Sequence, residues 1–220
     1  NKKNIYNIKK QILLGFIIYN LIFWFQEYLY FFNKISIRSE KEALANSYDW
    51  FDFTTHKDNF NKKKGDLSEG MYYNNYKISA EEAMLNKYDT YYKWLNLAPG
   101  KTLVDLGCGY CHWLIYCKNK GVIVKGINLS KPQRKFCKKK NIEVILSDYR
   151  KFIKNTEEKF DAVSTIGTQE HLASMGMTPQ QESDIHNEML RNIHRIVKVN
   201  GRVLITLMLM NPNYPKWKIY

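Results

Sequence analysis

Residues 105–112, Asp-Leu-Gly-Cys-Gly-Tyr-Cys-His, carry the marks of three different chemistries in one stretch. Cys108 to His112 spell C-x-x-C-H, the attachment pattern of a c-type haem, and Cys108 to Cys111 alone spell the C-x-x-C of a thiol oxidoreductase. Asp105 to Gly109 instead carry an acid near the end of the apolar run Thr102–Leu106 and two glycines just after it, as in a nucleotide-binding turn. In that third reading Gly107 and Gly109 let the backbone turn tightly and approach a ligand with no Cβ in the way. Other polar residues recur where such a turn needs support. Asn128 stands 21 residues beyond Gly107, close to the spacing of about 20 that brings a side chain to a ribose. Asp148 follows a later apolar run, placed to accept from an adenine amino group, with Tyr149 beside it.

These residues need a frame, and the sequence after Gly100 supplies one by alternation. Strands are expected at Thr102–Leu106, Val122–Leu129, Glu143–Leu146, Phe160–Ile166 and Arg202–Leu209. Between them, residues 112–119 form a short helix, and Ser130 caps a basic helix with Pro132 in its first turn. Thr178 and Gln181 make a capping box for a longer helix. Ile185, Met189, Ile193, Ile196 and Val197 form its apolar stripe, and Asn200-Gly201 ends it. Strands alternating with helices give right-handed crossovers and a parallel sheet covered on both faces. The ligand of such a sheet sits beyond the carboxyl ends of its strands, where Gly107, Asn128 and Asp148 fall. Upstream, Ser79 and Glu82 form a capping box. The apolar positions from Ala83 to Leu95 follow at helical spacing, and Pro99-Gly100 stops that helix. Residues 56–70 read as a loop or linker.

The frame also decides between the three readings. A haem attachment needs an exporting signal and a free loop, whereas here the motif follows a strand inside an alternating domain. A thioredoxin-type domain tolerates strand, loop and helix but leaves Asn128 and Asp148 without a role. The cysteines are therefore expected to be incidental, Cys108 a small buried loop residue and Cys111 a glycine substitute. Four cysteines, at 108, 111, 117 and 137, make no disulfide scaffold at this length, and a reducing compartment is expected.

The segments "MYYNNYKISAEEAMLNKYD", "LVDLGCGYCHW", "VKGINLSKPQ", "ILSDYR" and "FDAVSTIGTQEHL" resemble the class I S-adenosylmethionine-dependent methyltransferases. More narrowly, they are similar to the cyclopropane-fatty-acyl-phospholipid synthases and their relatives, the mycolic-acid and some plant alkaloid N-methyltransferases. The resemblance implies a Rossmann-like, doubly wound, mostly parallel α/β sheet with S-adenosyl-L-methionine as cofactor. It implies that Asp105, Gly107 and Gly109 belong to the cofactor loop, with the glycines at the methionine part. Asn128 and Gln133 would line ribose and adenine, and Asp148 and Tyr149 the adenine. Tyr73 and Asn74 would touch the cofactor carboxylate, and Glu170 and His171 would be the catalytic pair beside the transferred methyl. Asn75 and Thr206 fall where the synthases carry a cysteine and a histidine that hold a bicarbonate base, which leaves open both ring closure and simple methylation. The acceptor implied is a lipid acyl chain or a hydrophobic small molecule, with no metal.

The flanking sequence adds a setting. Residues 11–32 contain a single formal charge, Glu27. As a helix at about 1.5 Å per residue they would reach about 33 Å, enough for a bilayer core. Residues 1–40 are thus expected to be a hydrophobic membrane anchor, 41–98 a helical covering segment, and 99–220 the cofactor-binding domain, on the cytoplasmic side. The sheet of this fold carries two more strands after the fifth, so a sequence starting at Asn1 and stopping at Tyr220 is expected to lack them. With 34 basic against 21 acidic residues the formal charge is +13, which suits a membrane surface or nucleic acid. Nucleic acid is disfavoured because amino-group methyltransferases of that kind carry [DN]-P-P-[YF] after the fourth strand, where this chain has Gly167-Thr168-Gln169-Glu170.

Overall fold

The computed structural model describes residues 11, 13–15, 17–25, 66, 68–172 and 177–207. The chain divides into two compact units, Asn1–Leu44 and Ala45–Tyr220. In the first, the described residues between 11 and 25 are helical. Leu13, Leu14, Ile17, Ile18, Leu21, Ile22, Trp24 and Phe25 are all exposed, so this helix is apolar around its circumference rather than along one stripe. Among the described residues, no helix is long and apolar enough to cross a membrane. The expected spanning stretch runs on to residue 32, outside the described residues, as do most of the loop at 56–70 and the chain beyond 207.

The second unit is built on a parallel sheet of five strands in the order β3-β2-β1-β4-β5. The strands are β1 (Thr102–Leu106), β2 (Ile123–Asn128), β3 (Glu143–Leu146), β4 (Phe160–Ile166) and β5 (Val197–Thr206). The helices are α1 (Ala80–Trp94), α2 (His112–Asn119), α3 (Lys131–Lys139), α4 (Tyr149–Asn155) and α5 (Pro179–Ile196). The doubly wound α/β architecture is therefore present, and β1 lies between β2 and β4 at the point where strand order reverses.

Alternation along β1 sorts its side chains to opposite faces. Leu103 joins Tyr88, Tyr91, Trp113, Leu114, Cys117 and Cys137 in one core. Val104 and Leu106 join Ile127, Ile153, Val163, Met189, Ile193 and Ile196 in the other. Covered on both faces, the central strands read as near-continuous apolar runs.

Caps fix the helix starts that bear on the site. Ser130 Oγ accepts from the Gln133 N–H at 3.4 Å, and Thr178 and Gln181 close the full capping box at the head of α5. Three boundaries differ from the sequence reading. α1 ends at Trp94 rather than at Pro99-Gly100, because Asn96 turns left-handed at φ 50° and closes the helix first. α4 was not anticipated; Asp148 caps it through the Arg150 N–H, and Phe152 and Ile153 turn inward. α5 stops at Ile196, and β5 starts at Val197 rather than Arg202. Val197 already pairs with Phe160, and an irregularity between Phe160 and Ala162 restores register at Arg202. Asn200, at φ 63°, and Gly201 form that bulge instead of a helix end. A Cβ on Gly201 would lie 2.9 Å from the Asp161 carbonyl, so the bulge demands a glycine.

Candidate active site

The loop from Gly107 to Cys111 leaves β1 at its carboxyl end and enters α2. Gly107 and Cys108 both donate their N–H to the Ile127 carbonyl, at 2.9 and 3.1 Å, which ties the loop to β2. Gly107 has φ 86°, and a Cβ there would fall 2.6 Å from Thr168 Oγ1. Thr168 in turn donates to the Leu106 carbonyl at 3.1 Å. The loop after β4 thus packs directly on the loop after β1, and only a glycine leaves room for it. Gly109, at φ 49°, faces open space. Cys111 takes the left-handed conformation at φ 60° as the N-cap of α2, so it does substitute for a glycine.

Beneath the loop, Asp105 is buried and accepts from Ser164 Oγ at 2.7 Å. Ser164 accepts from Trp113 Nε1 at 3.2 Å, so one polar chain runs from α2 through β4 to β1. Burial pushes the Asp105 carboxyl up to about 7, against the Ser164 hydrogen bond and with help from the Asp66 charge.

Asn128 and Gln133 meet beside the loop. Asn128 donates to the Gly109 carbonyl at 3.0 Å and to Gln133 Oε1 at 2.9 Å, and accepts from the Ser130 N–H at 2.9 Å. The buried amide therefore works as a strut joining β2, the glycine loop and α3. Asp148 ends the β3 connection at the same edge. It accepts from the Arg150 N–H at 2.8 Å, and Arg150 also pairs with it at 2.8 Å through the guanidinium. Tyr149, half-buried, packs on the second core.

On the far side of Gly107, a single 3-10 turn spans Gln169–His171. Its start is held by Thr168, and the buried Gln169 donates to Met189 Sδ at 3.2 Å. Glu170 is half-buried and His171 exposed, two and three residues from the Thr168–Gly107 contact. Tyr73 and Asn74 lie in a left-handed turn, φ 48° and 63°. The Tyr73 hydroxyl bonds Thr90 on α1, so the ring lies along that helix. Asn75 is exposed and accepts from the Lys77 N–H at 3.3 Å. Thr206 ends β5 and hydrogen-bonds the Tyr91 side chain.

One structural feature corrects the sequence reading of the site. The cysteines are not incidental, because Cys111 and Cys137 form a disulfide, with Cys108 and Cys117 buried as free thiols. The C-x-x-C spacing held that signal, but Cys137 lies 26 residues away from Cys111 and no local pattern links them. The described end of the 56–70 stretch is irregular backbone, as a loop is, and it holds a buried ion pair. Asp66 Oδ2 sits 3.3 Å from the buried Lys87 Nζ and also accepts from the Tyr88 hydroxyl. Ser68 Oγ accepts from Lys87 at 2.5 Å, and the Met71 N–H donates to the Ala83 carbonyl at 2.8 Å. The segment leading to Tyr73 is thereby pinned on α1. Sequence reasoning gives no role to Ser164 or Thr168, since a hydroxyl in a strand or a loop gives no local sign of a partner distant in the chain.

The family model of the mycolic acid cyclopropane synthetases matches residues 41–216. The chain belongs to this family. A probable fatty acid methyltransferase of Mycobacterium tuberculosis is 39% identical over 44% of this chain and 24% of its own length. A pavine N-methyltransferase of Thalictrum flavum is 30% identical over 46% of this chain and 30% of its own. The chain thus spans less than a third of either curated relative. A solved cyclopropane synthase of Mycobacterium tuberculosis superposes with a TM-score of 0.53 at 25% identity, covering 63% of this chain and 47% of that one. The crossing of the two loops at Gly107 lies between β1 and β4, at the switch point of the sheet.

Proposed function

We propose that this chain is the cofactor-binding part of an S-adenosylmethionine-dependent methyltransferase that alkylates lipid acyl chains at a membrane. The observation that carries it is the seating of Thr168, the residue that precedes the Gln169–His171 turn, on Gly107 of the glycine loop. The residues present suit the cofactor. Gly107 and Gly109 offer a backbone cradle at the strand ends, Gly109 beside open space. Gln133 and Asp148 supply polar groups on the β2–β3 side, where the ribose and adenine would lie. Tyr73 and Asn74 belong to the segment assigned to the cofactor carboxylate.

When bound, S-adenosylmethionine supplies an electrophilic methyl on a sulfonium. The protein then has to align an acceptor with that methyl and exclude water, which positioning and fixed charge accomplish. Attack by an alkene leaves positive charge on the acyl carbons, which the half-buried Glu170 carboxylate stabilises. His171, one residue on, accepts the proton that the alkylated chain must release at an imidazole nitrogen. Relatives of both the fatty-acid and the alkaloid type share the fold, and an amine acceptor would need only the base.

The apolar helical residues between 11 and 25 and the net charge of +13 over the chain are in keeping with a membrane location, and the catalytic unit is proposed to lie on the cytoplasmic side. Incubation of the chain with methyl-labelled S-adenosylmethionine and total lipid tests the proposal. Label is expected in the fatty-acyl fraction and lost with Glu170→Gln. Label in amines alone would replace the acyl reading, and no label in either would overturn it.

A further inference from the structure

We propose that Cys108, Cys111 and Cys137 form a thiol–disulfide relay that sets how firmly the glycine loop is held for its cofactor. The proposal rests on the cofactor assignment above. Three observations meet at one place. The Cys111–Cys137 disulfide joins the last loop residue to α3, across Cα atoms 5.9 Å apart. Cys108 Sγ lies 3.5 Å from Cys111 Sγ, within a turn closed by the Cys111 N–H donating to the Cys108 carbonyl at 2.8 Å. Cys137 Sγ lies 3.5 Å from the carbonyl of Gly109, the other cradle residue.

The surroundings show that the loop is docked on α3 at this point. Phe136 packs edge-on against Tyr110 with ring centroids 5.4 Å apart, and lies 5.9 Å from His112. Asn128 ties the Gly109 carbonyl to Gln133 of α3. Gly126 makes room for the third sulfur, since a Cβ there would stand 2.6 Å from Cys108 Sγ. Of these links between loop and α3, the disulfide is the one that a thiol can break.

The exchange is balanced within the protein. The Cys108 thiolate attacks Cys111 Sγ, the Cys108–Cys111 bond forms, and the Cys111–Cys137 bond breaks. Cys137 leaves as thiolate and takes up the proton that Cys108 released, with no net oxidation. A dithiol reductant, itself oxidised to a disulfide, then reduces the Cys108–Cys111 bond and leaves three thiols. Burial and the neighbouring Asp105 hold the Cys108 thiol well above its ordinary range, so exchange is slow and follows loop opening. All three sulfurs are buried, which suits a relay acting on its own loop rather than on a protein substrate. In a reducing compartment such a bond is a transient, sensing one.

With the bond closed, Cys111 is held in its left-handed conformation and the cradle is pre-formed; with it open, the cofactor must order the loop. Reduction is therefore expected to weaken S-adenosylhomocysteine binding about tenfold. The test uses the full chain, unreduced and treated with dithiothreitol, with Cys137→Ala and Cys108→Ala variants. Thiols are alkylated under denaturing conditions and mapped by mass spectrometry, while affinity is read by calorimetry and Tm by thermal unfolding. A Cys111–Cys137 linkage is expected in the unreduced protein, with weaker binding and lower Tm on reduction. Cys137→Ala is expected to bind at the reduced level whatever the reductant, and Cys108→Ala to keep the linkage but lose it more slowly to dithiothreitol.

Free Cys111 and Cys137 in the unreduced chain, or an affinity and Tm indifferent to reductant, would overturn the proposal. So would equal reduction rates with and without Cys108. No binding in either state would instead count against the cofactor assignment, and the mapped linkage, Tm and reduction rate would still decide the relay.

Discussion

Asp105 and Asp161 show how two carboxylates of one sheet acquire opposite pH behaviour. Asp161 lies at the start of β4, where it accepts from the Thr102 N–H and hydroxyl at 2.8 and 2.7 Å and pairs with Lys198 at 2.9 Å. These donors hold it down to about 2, so its contribution to stability is present above the ordinary 3.8 and is lost as pH falls toward 2. Asp105, pushed up to about 7 chiefly by burial, does the reverse. The folded chain keeps a proton that the unfolded chain releases above pH 3.8, so stability falls as pH rises through that window toward 7. Asp105→Asn keeps an acceptor for Ser164 and removes the titration. In urea unfolding at pH 5 and at pH 8, the variant is expected to gain on the natural protein as pH rises. The gain amounts to roughly 1.4 kcal/mol per pH unit within the window. Parallel pH profiles for the two proteins would disprove this account of Asp105.

At the scale of elements, the site depends on two loops crossing between β1 and β4. Gly107 is the crossing point, and it is constrained twice, by φ 86° and by Thr168 Oγ1 at 2.6 Å from any added Cβ. Gly109 carries only the first constraint, at φ 49° with open space beyond. Gly109→Ala is therefore expected to cost about 1 kcal/mol. Gly107→Ala is expected to cost about 2–3 kcal/mol and to abolish cofactor binding, because the Thr168 turn must move. Thermal unfolding with calorimetric titration of S-adenosylhomocysteine measures both. Equal losses in the two variants would mean that the loop crossing does not matter.

For the whole molecule, an apolar N-terminal helix belongs to a chain of net charge +13. Apolar burial and attraction to anionic headgroups are then expected to act together. In flotation with vesicles containing phosphatidylglycerol, the full chain is expected to rise with the lipid. A chain lacking residues 1–40 is expected to retain only weak, salt-sensitive association. Equal flotation of both chains would remove the anchor from the account and leave charge alone.

Much of this was legible in the sequence because it is local. Alternating apolar runs fix strands and their faces, while Ser130 and the Thr178–Gln181 box fix helix starts. Gly107 and Gly109 after β1 mark a tight turn, since both take positive φ, which costs a glycine least. Features that depend on residues distant in the chain were not legible. Nothing in the apolar run of β4 announces that Ser164 will hold Asp105, or that Thr168 will sit on Gly107. Nothing in a polar stretch announces that Asp66 will neutralise a buried Lys87. The β5 bulge needed the pairing of Val197 with Phe160, which overrode a helical stripe. The C-x-x-C-H stretch, ambiguous by spacing, became a loop cross-linked to α3 only because folding brought Cys137 to Cys111. Local propensity and periodicity determined the elements; the partners of buried polar groups and thiols were decided by tertiary packing, which alone sets who meets whom.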